Sequence, residues 1–386
     1  MKSSHYKFYT CFAIFMVLLN IVLVGCNSHQ TKSEIEVITS KAVESSTKSS
    51  ENKIYSDDYT LLIYMCGSSL ESKNGSASDD ISELLSADIP KNVNVVLETG
   101  GTQRWKKHGI SADKLQRYMV ADNKLELLEE EKLSCMGDSS TLREFIDWGT
   151  QKFPAKRTAL ILWDHGGGFL KGICRDELYR NDWLTVQEFD EALYSSSFQY
   201  SFDFIGFDCC LMSNYETALV VSAYSDYMIA SEDLEPTGGW DYKSIASALG
   251  TGDEIKTILN SFTKAHSSKA DYTLSAIDLT HLDKIISAFQ DCIDRGKTDF
   301  EKAINKTDSI GIFSSCVYDM GSFGDSLNID FDFSDCITVV SSGDMSNLSG
   351  ISFCFPVDDR ETMEEYIQNC RDDNYTEFIK NNFNLS

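Results

Sequence analysis

Apolar and polar positions change rhythm several times along the chain, and those changes divide it into elements. From Tyr59 onward, short and nearly continuous apolar runs ("YTLLIYMC", "VNVVLET", "TALILW", "FDFIGFD") alternate with stretches at residues 81–87, 142–148 and 186–194 whose apolar positions recur at helical spacing. A strand that is apolar on consecutive positions is buried on both faces. The rhythm therefore predicts an α/β fold: a three-layer α/β/α sandwich with a largely parallel central sheet. "RYMVADNKLELLEE" alternates and is polar on one side, which predicts a peripheral hairpin. Further on, "DYMIAS", "YTLSAIDL", "SIGIFSS" and "GISFCFP" continue the strand signal, with helices expected over residues 243–249, 254–266 and 281–293. No repeat at a solenoid period is present.

The first 56 residues follow other rules. "MKSSHYKFYTCFAIFMVLLNIVLVGC" has a basic start, an apolar stretch from Cys11 to Val24 and small residues before Cys26, the pattern of an export signal. A membrane-anchoring helix is the alternative, since the apolar stretch is near the lower limit for spanning. "LVGC" resembles a bacterial lipobox, which implies a signal peptide over residues 1–25, cleavage before Cys26 and lipidation of its thiol. Residues 26–56 are rich in Ser, Thr, Lys and Glu without apolar periodicity and read as a flexible polar tether. The folded domain is expected over residues 57–386.

Composition narrows the partners. A formal net charge of −26 argues against nucleic acid, because phosphate binding needs a basic surface. Neutral or cationic partners fit an acidic exterior, as does plain solubility. Twelve cysteines in a chain of 386 residues would suit a disulfide scaffold, yet they sit inside apolar runs, show no CxxC pair and read mostly as buried free thiols. The six histidines form no ligand-spaced pair, so no metal site is expected.

In open α/β sheets the chemistry gathers beyond the carboxyl ends of the strands. Two strand ends carry reactive groups: "TALILW" finishes in Asp164, His165 and three glycines, and "FDFIGF" finishes in Asp208, Cys209 and Cys210 ahead of a helical pattern. A cysteine needs a nearby base or a helix N-terminus to form thiolate, and His165 with the helix opening near Ser213 offers both. The glycines allow close backbone approach, so the N–H groups of Gly166 and Cys210 form a candidate oxyanion hole. Side chains alternate along a strand, which turns Cys210 and Asp208 to one side and Cys209 to the other. Cys210 is the expected nucleophile. Asp208 beside it either hinders thiolate formation or sits at the base of a pocket for a cationic side chain; the second reading fits acyl transfer better.

"YMCGSSLES", "LILWDHGGG", "IGFDCCLMSNYETA", "IASEDLEPTGGWDY" and "GISFCFP", in that order across residues 59–356, together resemble the clostripain family of cysteine peptidases, family C11 of the caspase-like clan. The resemblance implies a caspase-like sandwich and an endopeptidase cutting after Arg or Lys. It makes His165 the catalytic histidine, Cys210 the nucleophile, and Asp208, with Asp233 assisting, the acids that select a basic residue before the scissile bond. Cys209 stands where the family commonly has alanine. Members of the family mature by self-cleavage at a basic residue between histidine and cysteine; Lys171, Arg175 and Arg180 in the exposed-looking "LKGICRDELYRND" are the candidates, with Arg175 and Arg180 preferred. Some members depend on calcium; no EF-hand loop is present here, so no cofactor is required by the pattern and calcium stays open.

The resulting expectation is a monomeric, self-processed cysteine endopeptidase held by its lipid to the outer face of a bacterial cell envelope. A catalytically silent binding module on the same fold is the main alternative. A thiol oxidoreductase is disfavoured, since vicinal cysteines such as Cys209 and Cys210 are sterically poor disulfide partners.

Overall fold

The computed structural model describes residues 57–267, 271–296, 300–307, 309–310, 316–329, 331–355 and 360–383. The expected signal peptide, Cys26 and the tether lie outside the described residues, as do residues 311–315 of "SIGIFSS" and Pro356 of "GISFCFP".

Strand β1 (Asp57–Cys66) leads through α1 (Ser76–Leu84) to β2 (Val93–Gly100), its parallel neighbour. The chain then forms an antiparallel hairpin, β3 (Lys114–Ala121) and β4 (Lys124–Lys132), at that edge. Helix α2 (Ser139–Lys152) carries it back to β5 (Ala155–Trp163), which pairs in parallel with the other side of β1. A small hairpin, β6 (Ile173–Asp176) and β7 (Asp182–Leu184), and α3 (Val186–Ser195) precede β8 (Ile205–Asp208), parallel to β5. Helix α4 (Tyr215–Val221) leads to β9 (Tyr227–Ala230), parallel to β8. Helices α5 (Tyr242–Ala248) and α6 (Glu254–His266) precede β10 (Tyr272–Asp278), and α7 (Leu282–Gly296) follows it. β11 (Val317–Asp319) pairs with β13 (Ser352–Cys354) in a separate ribbon, while β12 (Ile337–Ser342) runs antiparallel to β10. Helices α8 (Arg360–Asn369) and α9 (Asp373–Phe383) end the described chain.

Among the described residues nine strands form one sheet in the order β12-β10-β9-β8-β5-β1-β2-β3-β4. The five central strands β9, β8, β5, β1 and β2 are parallel, and antiparallel strands close both edges. Alternate residues of β1 explain its unbroken apolar run. Leu62, Tyr64 and Cys66 pack with Phe145 of α2, Phe189 of α3 and Tyr215 of α4, while Leu61, Ile63 and Met65 pack with Ile81 of α1, Tyr242 of α5 and Phe262 of α6. Both faces are therefore core, as the sequence pattern predicts.

Two features depart from the pattern. "GISFCFP" contributes Ser352–Cys354 to the two-stranded ribbon and not to the main sheet. The sheet's edge is instead β12, "ITVVSS", which carries no strong signal because only Ile337 in it is buried. Among the described residues no helix is long and apolar enough to cross a membrane.

β1 has β2 on one side and β5 on the other, so the sheet winds both ways from this point. That switch opens a crevice beyond the carboxyl ends of β1 and β5.

Candidate active site

Four chain segments meet at that crevice. The register of β5 and β8 sets Trp163 opposite Asp208. His165 lies two residues past Trp163 and Cys210 two residues past Asp208, so the pairing of two buried strands delivers both side chains to one edge. Backbone contact completes the approach: a Cβ placed on Gly166 would stand 1.9 Å from the Cys210 carbonyl oxygen and 2.9 Å from its nitrogen. Only glycine lets the histidine loop lie against the cysteine loop this closely. Gly168, at φ +69°, needs glycine for a different reason, the left-handed turn that follows.

His165 is half-buried, and its Nε2 lies 3.1 Å from the Ser69 hydroxyl, which extends from the end of β1. Burial, then the charges of Arg175 and Lys73, hold its imidazole below the usual histidine value. Asp164 turns away. It is buried, accepts a hydrogen bond from the Ser68 hydroxyl, and is held far above the carboxylate range by desolvation. Asp164 therefore braces the loop while Ser69 contacts the imidazole.

Cys210 sits in a turn, since β8 already ends at Asp208. The outcome for the two thiols still matches the alternation argument. Cys209 is 2% exposed and donates its S–H to the Leu162 carbonyl at 3.4 Å, whereas Cys210 is half-buried. All ten described cysteines are free, and Cys210 alone among them is not buried. Its sulfur accepts the Glu235 N–H at 3.2 Å. Burial pushes the Cys210 thiol up, the Glu235 N–H counters this, and the charges of Asp208 and Asp233 push it up further. Both shifts favour the uncharged forms, the thiol of Cys210 and the neutral imidazole of His165.

Asp208 lies below, 6% exposed, accepting from the Tyr242 hydroxyl at 2.9 Å; burial raises its carboxyl to about 6. No lysine or arginine pairs with it among the described residues. Its neighbours are two further acids, Glu235 and Asp80, both driven far up by desolvation and by the Asp208 charge, with Asp80 held by the Trp163 indole N–H at 2.7 Å. Gly239, at φ +55°, covers the carboxylate so closely that a Cβ there would be 3.2 Å from Asp208 Oδ1. Asp233 is half-buried, caps the Leu234 N–H with its carboxylate and takes the Leu211 N–H on its carbonyl.

The three basic candidates separate. Lys171 is exposed in a single helical turn; Arg175 lies within β6, half-buried, with its guanidinium 5.9 Å from the Trp183 ring; Arg180 is exposed in the turn between β6 and β7 at φ +62°. The segment is thus an ordered hairpin, less open than its polar sequence implies. Sequence reasoning missed Ser69, Glu235, Asp80 and Tyr242. All but Asp80 lie inside quoted motifs, Ser69 in "YMCGSSLES" and Glu235 and Tyr242 in "IASEDLEPTGGWDY", and position relative to a strand end was the available signal for the first two. Among the described residues one group, Cys135, Asp138 and Asp182, brings possible metal-ligating atoms within 4.8 Å of one another, with both acids exposed.

A doubly wound sheet that presents a thiol and an imidazole on adjacent strand ends defines a caspase-like α/β/α protein. The profile of the clostripain family, peptidase C11, matches residues 63–349, more than half of the chain, and the chain belongs to that family of cysteine peptidases. Clostripain of Hathewaya histolytica is 26% identical over 254 residues, covering 57% of this chain; the match spans 45% of that relative's length. Among solved structures, an inactive zymogen C11 protease from Parabacteroides distasonis shares the fold at TM-score 0.66 and 19% identity, over 84% of this chain and 99% of that one. A secreted C11 cysteine protease from Bacteroides thetaiotaomicron, solved with an irreversible peptide inhibitor, shares it at 0.66 and 15%, over 81% and 97%.

Proposed function

We propose that the chain is a cysteine endopeptidase that cuts polypeptides after Arg or Lys, with Cys210 as nucleophile and His165 as its base. The observation that carries this reading is the backbone contact between Gly166 and Cys210, which makes the two strand ends one site. Ser69 holds Nε2 of the imidazole, leaving Nδ1 to take the thiol proton as sulfur attacks the scissile carbonyl. The protonated imidazole then returns that proton to the departing amine, and water releases the acyl-enzyme with His165 again as base. The N–H groups of Cys210 and Gly166 receive the developing oxyanion; one such donor is worth about 10²–10³ in rate. Asp208, with its partners Glu235 and Asp80, forms an acidic floor with no lysine or arginine partner among the described residues, and Gly239 sets only backbone, without a side chain, over its carboxylate. Asp233 supplies a second negative charge near the sulfur.

The reading extends to the rest of the chain. Cys26 carries a lipid that holds the enzyme, as a monomer, to the outer face of a bacterial envelope. Self-cleavage falls at Arg180, exposed in the β6–β7 turn, with Arg175 and Lys171 as the other sites. The chemistry needs no cofactor; unchanged turnover after calcium chelation is the expected outcome.

The test is turnover of fluorogenic peptides ending in Arg, Lys, Asp or Leu, with Cys210→Ala and Cys209→Ala alongside. Cleavage after Arg and Lys only, lost in Cys210→Ala and kept in Cys209→Ala, is expected. No turnover of any peptide, before or after nicking, would instead favour a silent binding module.

A further inference from the structure

The acidic floor under Cys210 belongs to one face of the sheet, where Tyr242 and Trp240 pack with α1 and α6. On the opposite face the structure holds a cavity of about 680 Å³ that begins at His165. Gly168, Phe169, Trp183, Leu211 and Glu216 also line it, whereas Cys210, Asp208 and Asp233 do not. Most of the wall is apolar, and one polar atom in it is out of place. Glu216 is 1% exposed; its Oε1 accepts the Cys354 N–H at 2.9 Å and the Tyr366 hydroxyl at 2.6 Å, but its Oε2 is buried with no hydrogen-bond partner. An unmade hydrogen bond on a buried acceptor costs about 1–3 kcal/mol, so a ligand that supplies the donor gains what the empty cavity lacks.

We propose that this cavity is the subsite for the first residue released from the scissile bond, and that it takes an aromatic side chain ending in a hydrogen-bond donor, tyrosine above all. The inference rests on the peptidase reading. The group that protonates the leaving amine must touch it, so the chain attached to that amine departs on the side of His165, and His165 lines this cavity. The basic side chain before the bond enters the opposite face, toward Asp208. The wall carries both signs, Lys171 and Arg175 against Glu216 and Glu365, so it favours neither a cationic nor an acidic side chain over a neutral one. A neutral ring fills the apolar wall while its hydroxyl donates to Glu216 Oε2 once that carboxyl has given up its own proton, above about pH 7, so the comparison is made at pH 8.

The experiment compares full-chain enzyme on internally quenched peptides identical except for the residue after Arg: Tyr, Phe, Gly, Lys or Asp. Expected kcat/KM falls in the order Tyr, Phe, Gly, with Tyr about tenfold above Phe and both charged residues below Gly. In Glu216→Ala, read as the Tyr to Phe ratio within the variant so that any general loss cancels, the advantage drops to about twofold or less. Should Glu216→Ala not fold, the wild-type enzyme is given O-methyltyrosine after Arg, which keeps the ring and the oxygen but has no donor, and its rate must fall to that of Phe or below. Equal rates on Tyr, Phe and Gly in the wild-type enzyme overturn the subsite while leaving cleavage after Arg standing. Absence of any cleavage after Arg overturns the peptidase reading itself.

Discussion

A single missing methyl group sets how near the two reactive loops come. At 1.9 Å from the Cys210 carbonyl oxygen, an added Cβ on Gly166 has backbone on the other side and nothing soft to displace. Gly166→Ala is therefore expected to lower kcat/KM at least a hundredfold while far-ultraviolet circular dichroism stays unchanged, because the loop edge moves and the sheet does not. The imidazole makes a second prediction. Its value is lowered by burial and by the cations Arg175 and Lys73, so His165 is neutral and able to act as a base to lower pH than an ordinary histidine. The acid limb of kcat/KM should accordingly lie below the usual histidine value. Lys73→Gln removes one of the opposing charges and should move that limb to higher pH; an unmoved limb would detach it from His165. At this scale the sequence was legible where a reactive residue ended an apolar strand, as His165 and Cys210 do. Ser69 escaped because a serine past a strand end looks like any turn residue, and Glu235 because its partnership with Asp208 joins segments that are close only in the fold.

Elements that are buried on both faces announced themselves, and those that are half-buried did not. β1, β2, β5 and β8 are apolar on consecutive positions because each face packs on helices, and the alternating stretch of β3 and β4 became the edge hairpin. β12 was indistinct, being mostly half-buried, whereas "GISFCFP" was legible as a strand but not as the partner of β11 in a separate ribbon. Helix α4 supplies the prediction at this scale. Its Glu216 is the buried acid whose carboxyl is raised to about 7. The unfolded chain loses that proton near the ordinary carboxylate value, about 4.3; the folded chain keeps it to about 7. Between those values folding must hold a proton that the unfolded state has released, so this group takes stability away as pH rises through the window. Glu216→Gln, which keeps the bonds to Cys354 and Tyr366, should raise thermal stability more at pH 8 than at pH 4, with an upper limit of roughly 4 kcal/mol. An equal shift at both values would show that the carboxyl does not titrate there.

For the whole molecule, the active site is a seam between segments that are distant in sequence: the end of β1, the His165 loop, the Cys210 turn and the "SEDLEP" segment after β9. None of them crosses the sheet, and a nick in the β6–β7 turn leaves every one anchored to its own strand. Cutting after Arg180 should therefore yield two fragments that stay associated and active, and Arg180→Ala should preserve a single chain on a denaturing gel. Nicking that continues unchanged in Arg180→Ala would move the site to Lys171 or Arg175. The fold class could be read from the sequence, as could the placing of His165 and Cys210 just past neighbouring strand ends, because both follow from strand patterning. The cavity on the far face could not, since Phe169, Trp183 and Glu216 become neighbours only through the packing of α4 and the small hairpin against the sheet.

The negative charges around the Cys210 sulfur also act over time. Burial first, and then the charges of Asp208 and Asp233, push Cys210 toward its thiol form, and a thiol is far less reactive than a thiolate toward oxidants and stray electrophiles. On the proposed reading, a guanidinium or ammonium seated on Asp208 cancels that influence and lets the proton leave, so the cargo arms the nucleophile that will cut it. Alkylation of Cys210 by iodoacetamide should then quicken when a small alkylguanidine is present, although an occupant of the pocket would ordinarily shield it. If the protein is tethered outside the reducing interior of a cell, as proposed, such dormancy between encounters would prolong its working life.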